Sequence, residues 1–249
     1  MKVAAYQAPL LSCGSTETAL SLICEQIDWC ESQGVEILCC PEGILGGLAD
    51  YAPQPADIAI VREQLEAVLA PLASDTVTTI VGFTEIDGGR LYNTAAVLHK
   101  GSVVGLYRKL HPAINRSVYD AGDKIPVFTI GELTFGIMIC NDSNYSEPAR
   151  IMAAQGATAI LVPTNNGMPP SRGGSDLVAL ARNIDIAHAI ENSVSVIRAD
   201  VAGRADDLVS YGSSGIVDQD GMVLASTQQL STGVIVAEID TKPRKRKRV

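Results

Sequence analysis

The sequence predicts an α/β layered domain built on mixed β-sheets, and three observations lead to it. Segments with helical apolar spacing alternate with short apolar, strand-like runs. Turn signals such as Asp87-Gly88-Gly89 and Lys100-Gly101 place hairpins inside that alternation. Several runs are apolar at successive positions, so both faces of those strands need cover. The pattern is met either by two packed sheets with helices outside or by a three-layer α/β/α sandwich.

Taken in order, Val3 to Tyr6 form a first short strand. Leu20, Ile23, Cys24 and Ile27 recur at helical spacing and predict an amphipathic helix over 16–33, stopped by Gly34. A buried strand over 35–40 ends at Pro41, and a second helix is expected over 56–72 with Ile60, Leu65, Val68 and Leu69 inward. The β-branched stretch 77–83 leads through the Gly88-Gly89 turn to strands over 91–99 and 102–107. Strands over 125–130 and 133–139 flank Gly131. A helix over 146–156 stops at Gly156, a strand covers 157–162, and a long helix covers 175–191. Strands over 194–199, 210–217 and 233–239 close the chain. Residues 1–241 read as one domain and 242–249 as a basic tail.

Composition narrows the class. The 249 residues are 47% hydrophobic and 19% charged, which excludes a disordered chain. Only 4% are aromatic, so aliphatic side chains must fill the core. No apolar run is long enough to span a bilayer, and Met1–Pro9 is too short for a signal peptide, so a cytoplasmic location is expected. The net charge is −9, yet six of the 19 basic residues lie in the last eight positions. The rest of the chain sets 13 basic against 28 acidic residues and should repel nucleic acid and membranes. Only the tail could attract either. The six cysteines, without a CxxC pair, read as free thiols, and the scattered His99, His111 and His188 offer no zinc site.

Reactive groups of α/β proteins sit in loops just past strand C-termini. Three such places carry a suggestive side chain: Glu42 after the strand over 35–40, Lys109 after 102–107, and Cys140 after 133–139. A thiol becomes a strong nucleophile on deprotonation. A carboxylate alongside can take its proton, and a lysine ammonium favours the thiolate and can hold a developing oxyanion. A lowered thiol pKa, making Cys140 the most reactive of the six, is therefore expected. The backbone N–H of Asn141 could serve the same oxyanion.

With those residues in place, the sequence resembles the nitrilase superfamily of carbon–nitrogen hydrolases over nearly its whole length. Val3-Ala4-Ala5-Tyr6-Gln7-Ala8-Pro9 looks like that family's first strand. Leu38-Cys39-Cys40-Pro41-Glu42 is similar to its general-base motif, and Tyr107-Arg108-Lys109-Leu110-His111 to its lysine motif. Gly136-Ile137-Met138-Ile139-Cys140-Asn141-Asp142 is similar to its nucleophile motif. Ala187-His188-Ala189-Ile190-Glu191-Asn192 resembles its R-A-x-E-N helix end, with His188 in place of arginine, and 212–221 looks like its late hairpin.

The resemblance implies a Glu42–Lys109–Cys140 triad on a four-layer α-β-β-α sandwich with two mixed β-sheets. It also implies a homodimer or higher oligomer, with the helix after Cys140 at the interface. The function implied is cysteine-dependent hydrolysis of a small linear amide or N-carbamoyl compound through a thioester, with no metal and no organic cofactor. Nitrile hydrolysis, acyl transfer to an amine and a weakly catalytic interaction protein are the alternatives. Cys140-Asn141-Asp142 and the short chain favour an amide or carbamoyl group over a nitrile, because the family's true nitrilases usually show Cys-Trp-Glu. Many members carry a second glutamate after the lysine. This loop holds none, and Asp120 is the carboxylate that could replace it. Arg116 in the same loop could pair with a substrate carboxylate, and Asn165 and Asn166 could bind substrate polar groups.

Overall fold

A computed structural model describes residues 1–113, 117–171 and 174–243. In chain order the first elements are β1 (Lys2–Pro9), α1 (Thr16–Ser32), β2 (Ile37–Cys39) and β3 (Ile60–Val61). Next come α2 (Leu65–Leu69), β4 (Thr78–Asp87), β5 (Arg90–His99) and β6 (Ser102–Arg108). The middle holds β7 (Val127–Ile130), β8 (Leu133–Ile137), α3 (Ser146–Ala154), β9 (Ala159–Pro163) and α4 (Asp176–Asn192). The end holds β10 (Ser195–Ala199), β11 (Val201–Ala205), β12 (Leu208–Tyr211), β13 (Gly215–Val217), β14 (Val223–Ser226) and β15 (Gly233–Glu238).

The strands form two mixed sheets. One runs β12-β11-β1-β2-β4-β5-β6, with β15 also on β1 and β3 also on β4; the other runs β14-β13-β10-β9-β8-β7. Strand alternation explains the layering. Val3 and Ala5 of β1, Ile37 and Cys39 around β2, and Ala95 and Val97 of β5 face the core between the sheets. Their neighbours Ala4, Tyr6, Leu38, Cys40, Ala96 and Leu98 face the core under α1 and α2. On the far side, Ala149 and Met152 of α3 and Ala189 of α4 join Phe135, Ile137 and Ile160 of the second sheet. Two sheets with helices outside are thus the layering adopted, a four-layer α-β-β-α sandwich.

Helix α1 follows the predicted bounds closely. Its buried stripe is Ala19, Ile23, Ile27 and Cys30. It stops where Gly34 takes φ +66°, letting Val35 N–H reach the Cys30 carbonyl at 2.9 Å. The second predicted helix does not form as one piece. The stretch breaks into a 3₁₀ turn at Pro55–Ile58, the strand β3, a 3₁₀ turn at Arg62–Gln64, the five residues of α2 and a 3₁₀ turn at Ala70–Leu72. Pro55 and Pro71 lack the N–H that a continuous helix uses, and Ile60 pairs instead with Glu85 of β4. The predicted strand over 210–217 is two strands, β12 and β13, separated by Gly212 at φ +78°. β11 has no clear signal in the sequence, because Gly203 and Arg204 interrupt the short apolar run Val201-Ala202.

The sheet packs directly against the Glu42 loop. A Cβ on Gly82 would lie 2.5 Å from the Pro41 carbonyl oxygen, 2.6 Å from Gly43 N and 2.9 Å from Glu42 Cα. All three are backbone atoms with little room to yield. Gly82→Ala is therefore expected to destabilise the fold by about 1–3 kcal/mol, read from urea unfolding, and to push Glu42 out of place. An unfolding midpoint equal to wild type would refute this close approach.

Candidate active site

Each of the three singled-out side chains follows a strand. Glu42 comes three residues after β2, Lys109 directly after β6 and Cys140 three residues after β8. Glu42 and Lys109 thus belong to one sheet and Cys140 to the other. The structure brings them to a single cavity of about 190 Å³, lined also by Asp50, Tyr51, Asn93, Tyr119, Asn165 and Asn166 among others. A larger cavity of about 460 Å³, lined by Arg150, Asn192 and Pro243, lies at the opposite ends of β9 and β10, away from this cluster.

Glu42 and Lys109 are both buried, at 1% and 4% exposure. Lys109 Nζ donates to Glu42 Oε1 at 2.6 Å. Asn93 Nδ2 donates to the same oxygen at 2.7 Å, and the Asn165 N–H donates to Oε2 at 2.9 Å. Burial alone would lower the lysine pKa; the adjoining, hydrogen-bonded Glu42 carboxylate reverses this and raises it above its ordinary value. Lys109 is therefore held as an ammonium. Strand alternation puts Tyr107 and Lys109 on one face of β6 and its extension, while Arg108 turns the other way to Glu85 and Asp87.

Cys140 sits in the left-handed region at φ +46°, an uncommon conformation for a residue with a side chain. The following 3₁₀ turn, Cys140–Asn144, holds it there. Asp142 is central to that turn. Its carboxylate accepts from Ile139 N at 3.0 Å, Leu110 N at 3.1 Å, His111 N at 2.8 Å and the Tyr107 hydroxyl at 2.7 Å. It therefore lashes the loop after Lys109 to the cysteine turn. Burial pushes the Asp142 carboxyl pKa up, although these donors pull it down.

The expectation of a lowered thiol pKa is overturned. Burial and the Glu42 carboxylate push the Cys140 thiol up to about 12, outweighing the pull of Lys109 and Arg198. A cation nearby is not sufficient when the same pocket holds its counter-ion. Burial and the counter-ion therefore favour the neutral thiol over the thiolate.

The other singled-out residues fall as follows. Asn165 spends its side chain locally, accepting from Gly167 N at 3.0 Å and donating to the Glu42 carbonyl at 3.4 Å. Asn166 is held by Asp200, its N–H at 3.1 Å and its Nδ2 at 2.9 Å, which leaves its Oδ1 4.0 Å from the Cys140 sulfur. The Asn141 side chain donates to the His111 carbonyl at 3.1 Å. Asn141 lines a second cavity of about 190 Å³ that also touches Cys140 and is walled by Leu177, Leu180 and Ile184. His111 stacks on Tyr145, ring centroids 3.8 Å apart, and is not among the residues lining either cavity beside Cys140. Asp120 is exposed and stays off the cavity wall. Arg116 lies outside the described residues.

Sequence reasoning missed Asn93 and Asp50. Asn93 also accepts the Lys109 N–H on its carbonyl at 2.8 Å, so it braces both members of the ion pair. Its signal was an amide inside a strand, a position asparagine seldom takes without a partner. All six cysteines are free, and among the described residues no group of three His, Cys, Asp or Glu could hold a metal ion.

Two mixed sheets between helical layers, with a buried Glu–Lys pair and a cysteine at the strand ends, define a protein of the nitrilase superfamily. The family profile described as carbon-nitrogen hydrolase matches residues 2–247, and the chain belongs to that family. Among its relatives is a nitrilase of Pyrococcus abyssi, 34% identical over 184 residues, which take in 73% of this chain and 66% of that protein. The chain thus spans just under two thirds of that nitrilase. An (R)-stereoselective amidase of a Pseudomonas species is 30% identical over 216 residues, 85% of this chain and 75% of that protein. A variant of the amidase from Nesterenkonia sp. AN1, with the acetamide moiety of fluoroacetamide added covalently at its active-site cysteine, superposes with a TM-score of 0.80. The two are 23% identical, and the alignment covers 95% of this chain and 89% of that one.

Proposed function

We propose that the protein hydrolyses a non-peptide C–N bond in a small linear amide or N-carbamoyl compound, through a thioester on Cys140. The observation that carries this reading is the Glu42–Lys109 pair, 2.6 Å apart, opening on the same cavity as the Cys140 thiol. The volume of that cavity suits a substrate of a few heavy atoms beyond the reacting group. The covalent adduct on the cysteine of the Nesterenkonia amidase, a protein of the same fold, supports the assignment of the nucleophile.

In this mechanism Glu42 takes the thiol proton as the sulfur attacks the carbonyl carbon. The Lys109 ammonium and the Asn141 N–H receive the developing oxyanion. When the tetrahedral intermediate collapses, Glu42 returns the proton to the leaving nitrogen, and ammonia or an amine departs. Water then enters, gives its proton to Glu42 and attacks the thioester. At the second collapse Glu42 returns the proton to the sulfur, restoring the thiol, and a carboxylic acid leaves; from an N-carbamoyl compound the leaving acid is a carbamic acid, which loses carbon dioxide to give the amine. A thiol with a pKa near 12 fits this scheme, because the nucleophile is generated by proton transfer to Glu42 during attack. Asn166 Oδ1, facing the sulfur, is suited to orient a substrate N–H.

Ammonia release from short aliphatic amides, N-carbamoyl amines and matching nitriles tests the reading. Release from an amide or carbamoyl compound that disappears in Cys140→Ala is expected. Release from nitriles alone, or activity retained in Cys140→Ala, would overturn it. Asn93 gives a finer check. Asn93→Ala frees the Glu42 carboxylate on one side and is expected to lower kcat by about 10–100-fold with little change in KM, as a small misplacement of a reacting group does. A change confined to KM would argue that Asn93 serves binding instead.

A further inference from the structure

Charge is unevenly distributed around the cavity. Among its described lining residues Glu42 and Asp50 are acidic and Lys109 is the one cation. Glu42 and Lys109 neutralise each other at 2.6 Å. Asp50 is left over. It sits on the 3₁₀ turn Ala49–Tyr51, across from the loop that carries Ser117 and Val118. Its donors are neutral: the Ser117 hydroxyl at 2.9 and 3.0 Å to its two oxygens, and the Val118 N–H at 2.8 Å to Oδ1. Among the described residues no Lys, Arg or His forms a salt bridge with it. The Tyr119 phenol, which lines the same cavity, has its pKa raised chiefly by burial, with Glu42 and Asp50 both adding to the effect. Asp50 is half-buried and lines the same cavity as Glu42, Tyr119 and Cys140.

We propose that Asp50 is the specificity-determining group of this cavity and selects substrates that carry an ammonium or other cation at the end remote from the scissile C–N bond. The inference rests on the amide-hydrolase reading above for its reacting end. A cation here meets an ionic partner that already keeps two neutral donors, so it gains a charge-assisted contact without displacing the loop anchor. A remote carboxylate meets repulsion in a partly desolvated site, where like charges act more strongly than in bulk water. The chain as a whole, at −9, steers ligands in the same direction. The substrate class is thus an ω-amino amide or an ω-amino N-carbamoyl compound rather than the ω-amide of a dicarboxylic acid.

A matched set tests this: 5-aminopentanamide, its neutral isostere hexanamide and the anionic adipamate, with shorter homologues of each. Binding is read by calorimetry on the Cys140→Ala protein, so it does not depend on turnover; kcat/KM is read on the unaltered enzyme. The cationic amide is expected to bind about tenfold tighter than the neutral one, and the anionic amide weakest. Raising the salt concentration should narrow the spread. Asp50→Asn keeps the Ser117 and Val118 acceptor but removes the charge, and its loss of affinity should be about tenfold larger for the cationic than for the neutral amide. Equal binding of cation and neutral isostere, tightest binding of the anion (the result expected if Arg116 dominates), or an equal loss for all three in Asp50→Asn would overturn the proposal. Ammonia release without cation preference would sink only this inference, whereas cation-selective binding without release from any amide would sink the hydrolase reading alone.

Discussion

Cys140→Ala is expected to abolish turnover while leaving the fold unchanged. Removing the nucleophile of an acyl-transfer site lowers kcat by roughly 10⁴–10⁶-fold, because the remaining groups then have nothing to activate. The fold should not suffer. The left-handed φ of +46° is held by Asp142 and by the Ser143 hydroxyl, which donates to the Cys140 carbonyl at 2.7 Å, not by the thiol. Alanine keeps the Cβ and leaves a gap beside two small cavities. Unaltered near-ultraviolet circular dichroism with undetectable ammonia release is the expected pair of results. Residual activity above about one hundredth of wild type would rule out a thioester on this residue.

Lys109→Ala should fail in two ways at once. In the proposed mechanism the ammonium receives the oxyanion, so kcat should fall by about 10²–10³-fold, the range seen when one preorganised donor is removed. Stability should fall as well. Glu42 is 1% exposed, and without Lys109 its carboxylate keeps only the Asn93 and Asn165 donors. Leaving one member of a buried pair uncompensated costs about 3–5 kcal/mol. The double variant Lys109→Ala with Glu42→Gln should recover much of that stability and none of the activity. If the single variant unfolds at the wild-type urea midpoint, the two groups are not coupled as the 2.6 Å contact requires.

What could be read before the structure follows from how local each signal is. Glu42, Lys109 and Cys140 were suggested by their places just past apolar strands and singled out by the short motifs around them that resemble the family's, both of them local signals. The broken segment between residues 55 and 72 was misread because its apolar spacing is helical, while Pro55, Pro71 and the pairing of Ile60 with β4 depend on context. Asn93 and Asp50 gain their meaning from partners 51 and 67 residues away, which no window of sequence contains. The thiol pKa was misjudged for a related reason: a list of neighbouring charges omits burial, and burial is the largest influence on Cys140.

The site is a joint between two slabs. Glu42 and Lys109 ride on the nine-stranded sheet and Cys140 on the six-stranded one, and two carboxylates span the seam: Asp142 through Tyr107, Leu110 and His111, and Glu42 through Asn165. Catalytic alignment is therefore a gauge of how the slabs are registered. A slip of one ångström between them would leave every strand and helix intact while parting Glu42, the proposed base, from Cys140, the proposed nucleophile. Warming or mild denaturant should silence such a molecule before it melts, and core residues such as Phe135 and Val97, far from any substrate, would act as shims that keep the two halves in gear.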